Sequence, residues 1–286
     1  MVAQVKKKYN KYNWNKSIEF WPYYTSPFRP SKNDVEIYSN YINKIKNKKA
    51  LVLGATPEIR EILSLLNYKV VVVDASLNMI REMLSLGYKI NTKNEKWIVN
   101  NWLKLVSIFK DEKFDIIIGD LVLRNIDYKK QEKFLFNVSE VLNEGGLFVT
   151  RIHYRKKNNI SSDKIVEKVF NNYLHFSNKK IEDIITSRLF DNFVKDRQKK
   201  VDKKLFSHFV ESKIPEFSNR KKKIFINIYL KWGRGPRTWT QRNRSEVKAL
   251  LKARFDIKKI VIAKDYIDSD LYPIYILQKN AQYNHI

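Results

Sequence analysis

Cysteine is absent from this chain of 286 residues. Disulfides, thiolate metal sites and a cysteine nucleophile are therefore excluded. Histidine is scarce, with four copies, so imidazole chemistry has few places to sit. No stretch approaches the roughly 20 apolar residues that cross a bilayer. The lysine-bearing start, Met1 to Asn10, is not followed by the apolar segment of a secretory signal. A cytoplasmic protein without a membrane span is the expectation.

Acids are the third shortage. The 30 Asp and Glu face 56 Lys and Arg, a formal net charge of +26. Lys, Asn, Ile and Tyr are abundant together, as in AT-rich genomes. Such bias supplies lysine but does not remove glutamate, so a physical excess of positive field remains. It draws anionic partners: nucleic acid, phosphorylated metabolites or acidic membrane surfaces. The length suits one main domain with an elaboration.

Against these absences stands one informative unit. Ala50-Leu-Val-Leu-Gly-Ala-Thr-Pro-Glu58 is an apolar strand ending at Gly54. Thr56 is placed to cap a helix opened by Pro57 and Glu58, with Ile59, Ile62, Leu63 and Leu66 behind it. A second apolar run, Val70 to Val73, stops on Asp74, twenty positions after Gly54. A strand, turn, helix, strand and acid in that order leave room for an anion at a helix N-terminus and an acid for a ribose diol. A nicotinamide site needs G-x-G-x-x-G for close approach of a pyrophosphate. Here the second glycine position carries Thr56, and the acidic Glu58 stands just before the third, Ile59.

Downstream come Ala75-Ser-Leu-Asn-Met-Ile80, then Phe114-Asp-Ile-Ile-Ile-Gly-Asp120, then Val141-Leu-Asn-Glu-Gly-Gly-Leu-Phe-Val-Thr-Arg-Ile152. This succession, from about Ala50 to Ile152, resembles the class I S-adenosylmethionine-dependent methyltransferases. The resemblance implies an α/β, Rossmann-like, seven-stranded mixed sheet with its last strand antiparallel. It implies S-adenosylmethionine as cofactor. Gly54, Ala55 and Thr56 would lie under its methionine part. Asp74, with Ala75 beside it, would hold the ribose hydroxyls. Asn101 and Trp102, in Ile98-Val-Asn-Asn-Trp-Leu103, would surround the adenine, and Met79 would pack on its face. Two departures stand out: the glycine loop keeps only Gly54, and the acid usual after the third strand is Asn101, whose carbonyl can still accept from the adenine amine.

The rest of the chain arranges itself around that core. Ser31 and Asp34 read as a capping pair before the stripe Val35, Ile37, Tyr38, Tyr41, Ile42 and Ile45. Strands are expected at 50–54, 69–73, 97–99, 114–119 and 147–153, and helices at 57–66, 77–86 and 127–142. Gly87 and the Gly145-Gly146 pair fit helix ends. From Arg155 to Lys223, three amphipathic stripes carry 19 Lys or Arg against 9 Asp or Glu, a local net of +10. They predict three inserted helices, at the place where the resemblance implies a substrate-covering lid. An apolar segment Ile224–Leu230, the loop Lys231–Thr240, a helix Ser245–Arg254 and closing strands Ile257–Ala263 and Tyr272–Leu277 complete the sheet. The resulting division is 1–48 (tail, aromatic and proline-rich loop, helix), 49–154 (cofactor-binding core), 155–223 (basic lid) and 224–286 (end of the core).

Methyl transfer is an in-line displacement in which positioning and exclusion of water supply much of the rate. A base is needed only when the acceptor must lose a proton. His153, at a strand end, is the expected base, titrating near 6–7. Asp120 is its alternative, or an anchor for the cofactor's ammonium. Arg29 is a candidate for the cofactor carboxylate. Trp21, Tyr23, Tyr24, Tyr154 and Trp239 are candidates for the acceptor's walls. No metal site is expected. The strand end Gly119-Asp-Leu-Val122 is not the Asp/Asn-Pro-Pro-aromatic motif of base-amino methylation, and cytosine-carbon methylation needs a cysteine. The acceptor expected is thus a small, anionic molecule or a peptide side chain, methylated on O or N. An RNA methyltransferase using the basic surface, and a degenerate methyltransferase-like partner subunit, remain as alternatives. The oligomeric state is not readable.

Overall fold

The computed structural model describes residues 21–86, 88–156, 159–195, 199–233 and 239–280. Expectations that fall on the first twenty residues, on Gly87 and on the 234–238 part of the loop lie outside the described residues. The chain divides into two compact units, Met1–Arg29 with Lys157–Thr238, and Pro30–Lys156 with Trp239–Ile286.

The second unit holds the sheet. Helix α1 (Lys32–Ile42) starts in a reciprocal capping box between Ser31 and Asp34 and buries Ile37, Tyr38 and Ile42. Strand β1 (Lys49–Leu53) leads into α2 (Pro57–Leu65), and β2 (Lys69–Asp74) into α3 (Leu77–Glu82). Then come β3 (Glu95–Val99), α4 (Leu105–Phe109), β4 (Phe114–Asp120), α5 (Gln131–Glu140) and β5 (Leu142–Arg151). Continuous β-branched runs such as Val70–Val73 are buried on both faces, as parallel strands between helix layers require. Two expectations change here. Thr56 stands at the start of α2 without a side-chain cap hydrogen bond; Pro57 at the first helical position removes one of the helix's unpaired donors by having no N–H. The Gly145-Gly146 pair lies inside β5, where the register with β4 shifts between Phe114 and Ile116. Gly145 has φ +74, and a Cβ on Gly146 would meet the Asn143 and Asp115 carbonyls at 3.0 and 3.1 Å, so the pair serves a bulge and not a helix end.

In the first unit, α6 (Ser162–Tyr173) and α7 (Asn178–Asn192) are followed by the two-residue strands β6 (Val194–Lys195) and β7 (Lys200–Val201), then α8 (Lys203–Glu216) and α9 (Asn219–Ile228). A π-helical turn, Tyr229–Gly233, ends it. Three amphipathic stripes predicted three helices, and the described residues hold four. The fourth, α9, opens with the run Arg220-Lys-Lys-Lys223, which masks the spacing of its buried Ile224, Phe225 and Ile228. The segment Ile224–Leu230, grouped by sequence with the end of the core, is thus in the helical unit. The strap Trp21–Phe28 packs there too: the Tyr24 and Phe28 rings lie 5.0 and 4.4 Å from Trp232.

The chain returns to the sheet unit with α10 (Arg244–Lys252), β8 (Phe255–Val261) and β9 (Ile274–Lys279). The sheet order is β3-β2-β1-β4-β5-β9-β8. β9 runs antiparallel to both neighbours, and the other central pairings are parallel. The expected seven-stranded mixed sheet is therefore what the chain forms.

Candidate functional site

The reversal of strand order between β1 and β4 makes the carboxyl ends of β1 and β2 the place where open α/β sheets bind ligands. Gly54 sits there with φ +91, a conformation that costs any residue with a Cβ. A Cβ built on it would lie 3.7 Å from Trp102 Cζ2 and 4.0 Å from Asp74 Oδ2. Glycine, acid and indole thus converge on one cradle. Its walls are fixed from behind. The Trp102 Nε1 donates to the Val73 carbonyl at 2.8 Å, and Asp74 Oδ1 accepts from Ser76 N at 2.9 Å. Asn101 is exposed, and its side-chain oxygen accepts from Leu103 N at 2.9 Å, so it caps the turn that delivers Trp102. Met79 is buried one turn into α3, whereas Ala75 is exposed. Ala55 is buried and Thr56 half-buried beside Gly54. The carboxylate of Glu58, unfriendly to a nearby phosphate, is turned to the Tyr88 hydroxyl at 2.8 Å.

Asp120 ends β4 in another environment. Arg151 donates through Nε to its Oδ1 and through Nη2 to its Oδ2, each at 2.8 Å. The Tyr38 hydroxyl adds a bond to Oδ1 at 3.0 Å. Arg151 also donates to Asp34 Oδ2 at 2.7 Å and to the Tyr266 hydroxyl at 3.3 Å. Burial works against the Arg151 charge, but Asp120 and Asp34 outweigh it and raise its pKa. Burial also raises Asp34, with Arg151 opposing. Both oxygens of Asp120 are held in a buried clamp joining α1, β4 and β5, which counts against its expected part as a proton acceptor or ammonium anchor.

His153 follows β5 and is buried, with its ring stacked on Tyr272 at 4.5 Å and 17°. Burial, then the positive Arg124, push its pKa well below the usual imidazole value. That direction runs against the titration expected near 6–7. His153 lines a small polar cavity with Arg124, Arg151, Arg242, Gln131 and Thr240. Gln131 organises it: its amide donates to Thr240 Oγ1 at 2.8 Å and its oxygen accepts from Arg242 Nε at 2.5 Å. Tyr154 is tied to Tyr275 through a short hydroxyl contact, and the ring of buried Trp239 faces the Arg124 guanidinium at 5.2 Å. Sequence reasoning missed Arg124, Gln131 and Arg242. Each is polar within an element that otherwise reads as loop or helix surface, so nothing in the spacing marks it.

Trp21, Tyr23, Tyr24 and Arg29 lie in the helical unit. Tyr24 is buried against Trp232, Tyr23 is exposed with Lys179 at 4.6 Å from its ring, and Arg29 stands 6.0 Å from the Trp21 ring. Among the described residues no group of three or more His, Cys, Asp or Glu could hold a metal ion, and no helix is long and apolar enough to cross a membrane.

Solved structures share the fold across most of their lengths. The CcbJ methyltransferase of Streptomyces caelestis superposes with a TM-score of 0.59 at 10% identity, covering 92% of this chain and 96% of that one. A Rhodobacter sphaeroides protein described as a candidate Zn-dependent alcohol dehydrogenase gives 0.57 at 13% identity, covering 93% and 97%. The N-methyltransferase NodS of Bradyrhizobium japonicum, in complex with S-adenosyl-L-homocysteine, gives 0.50 at 12%, also covering 93% and 97%. At such identities the likeness shows the fold alone. No curated protein matches by sequence. A model of the methyltransferase domain family matches residues 55–211, over half of the chain. With this sheet order and this match, the chain belongs to the class I S-adenosylmethionine-dependent methyltransferases.

Proposed function

We propose that the chain methylates an O or N atom of a small acceptor bearing an anionic group, with S-adenosylmethionine as donor. The observation that carries this reading is the cradle at Gly54, where the missing Cβ leaves a space bounded by Asp74 and Trp102. These residues fit the donor: Asp74 supplies the carboxylate for a ribose diol, Trp102 an aromatic wall for the adenosine, and Gly54 with Ala55 and Thr56 a close-approaching turn. Met79 closes the adenine side. When bound, the sulfonium supplies an electrophilic methyl carbon.

The chain's own residues then have to orient the acceptor and exclude water. The cavity after β4 and β5, about 10 Å³, is lined by Arg124, Arg242 and His153; it is no larger than one water, and in this reading those side chains part to meet a carboxylate or phosphate on the acceptor. His153, kept neutral by burial, acts in this reading as a hydrogen-bonding group that orients the acceptor. Turnover should therefore be flat between about pH 6 and 8, where an unperturbed imidazole titrates.

The test is a titration of S-adenosylmethionine into the folded Asp74→Ala variant. Affinity should fall by roughly 2–4 kcal/mol, the range for losing charged hydrogen bonds. Unchanged affinity removes the foundation of the reading.

A further inference from the structure

Helices α5 and α10 of the sheet unit border an open groove of about 530 Å³. That volume falls within the roughly 300–1,000 Å³ of clefts that hold small molecules. The groove exists because α10 carries little bulk on that side. Ala249 and Ala253, one turn apart, both line it and are exposed. Residues four apart share a helix face, and two methyl groups there leave open what longer side chains would fill. Leu135 of α5 and Leu250 of α10, both buried in the sheet's apolar core, give the groove its floor.

The rest of the lining is charged, and it balances: Glu132 and Glu246 against Arg242 and Arg254. In a chain of net charge +26, that local neutrality argues against a simple anion as the occupant. Two of the four charges already serve the fold. Glu246 Oε2 accepts from Asn243 N at 2.9 Å in the capping box of α10, and the Arg254 guanidinium lies 5.1 Å from the Phe136 ring. The other two are brought to one end of the groove. Arg242 donates through Nε to Gln131, the residue before Glu132, and through Nη2 to the Tyr128 carbonyl at 3.3 Å. Its Nη1 and the exposed Glu132 carboxylate have no hydrogen bond among the described residues. An acceptor and a donor of opposite charge thus stand at the start of α5, beside an apolar floor with room above it.

We propose that this groove binds a zwitterion with an apolar body, of the class of the apolar α-amino acids. The ammonium donates to Glu132, the carboxylate accepts from Arg242 Nη1, and the side chain covers Leu135, Leu250 and the two alanines. The two charged groups of an α-amino acid are one carbon apart, so both of their partners must stand at one end. Covering the floor removes apolar surface from water. Arg242 also borders the small cavity beside His153, but the inference uses the groove alone and does not rest on methyl transfer.

Calorimetric titration of the full chain with L-phenylalanine tests it, beside three controls that each lack one feature. Phenethylammonium lacks the carboxylate, 3-phenylpropionate the ammonium and glycine the apolar body. Saturable binding of phenylalanine is expected, about tenfold or more tighter than that of each control, as the loss of a charged hydrogen bond or of the apolar contact requires. Glu132→Gln should weaken it about tenfold, and Ala249→Leu, which fills the groove, by about as much or more. Both positions are exposed, so both variants should melt with their parent and a change in binding reports the groove. Absence of saturable binding up to about 10 mM, or equal binding of a singly charged control, would overturn the proposal. So would full binding by either variant.

Discussion

Asp120 in the sheet unit and Asp183 in the helical unit are both carboxylates taken out of water, and they are treated in opposite ways. Asp120 faces a guanidinium whose planar fork meets both of its oxygens, with a tyrosine hydroxyl as a third donor. Among the described residues Asp183 has two bonds to one oxygen, both from neutral groups, and none to the other. The first arrangement closes on itself. It holds α1 and the ends of β4 and β5 together. The second is open by one interaction. A buried acid is therefore no guide to function until its partners are counted.

The comparison is broken most severely at Arg151. Arg151→Met leaves Asp34 and Asp120 buried without their counterion, and it should cost about 3–5 kcal/mol of stability in denaturant unfolding. A loss below about 1 kcal/mol would show that the clamp holds nothing. The opposite outcome is expected at Asp183. Burial pushes its folded pKa from the usual carboxylate value of 3.8 up to about 7, so the folded state keeps a proton that the unfolded chain releases. Stability should fall as pH rises through that window and level off above it. Asp183→Asn should remove this fall, a difference of roughly 2–4 kcal/mol across the window. Parallel pH profiles for parent and variant would place Asp183 with Asp120 as a paired group.

Smaller effects sharpen the contrast. Gly54→Val puts a branched side chain at φ +91, beside Asp74 and Trp102. About 1–3 kcal/mol of backbone strain should appear, together with weaker S-adenosylmethionine binding by calorimetry. Wild-type cofactor affinity in this variant would move the cradle elsewhere. Tyr38→Phe deletes one donor to Asp120 and one acceptor for Arg151 N, while the bidentate pair remains. About 1–2 kcal/mol is the expected loss. A loss as large as that of Arg151→Met would show that the hydroxyl, and not the guanidinium, closes the clamp.

The sheet was legible because its signals are local. Val70 to Asp74 is too apolar and too β-branched to be anything but a buried strand, and Ser31 with Asp34 gave the capping box that α1 has. Asp34 was only half read. The same carboxylate that caps α1 also binds Arg151, 117 positions away in the chain, and no local pattern announces a partner so distant. Helix α9 was missed for a different reason, since its four consecutive basic residues carry no apolar spacing. His153 was correctly seen at a strand end, but its expected titration assumed an exposure that packing against Tyr272 denies it. Asp183 left no local trace: one position from Ile184 and two from Ile181 and Ile185, it lies on the other side of α7 from the stripe they form.

The succession of elements, the turn at Gly54 and the acid after β2 followed from the sequence by itself, because each depends on residues within a few positions of one another. The partners of the buried charges were decided only by tertiary structure. A carboxylate's fate in a low-dielectric interior depends on which donors arrive from elsewhere in the chain, and three-dimensional packing alone brings Arg151 to Asp120 and Thr25 to Asp183.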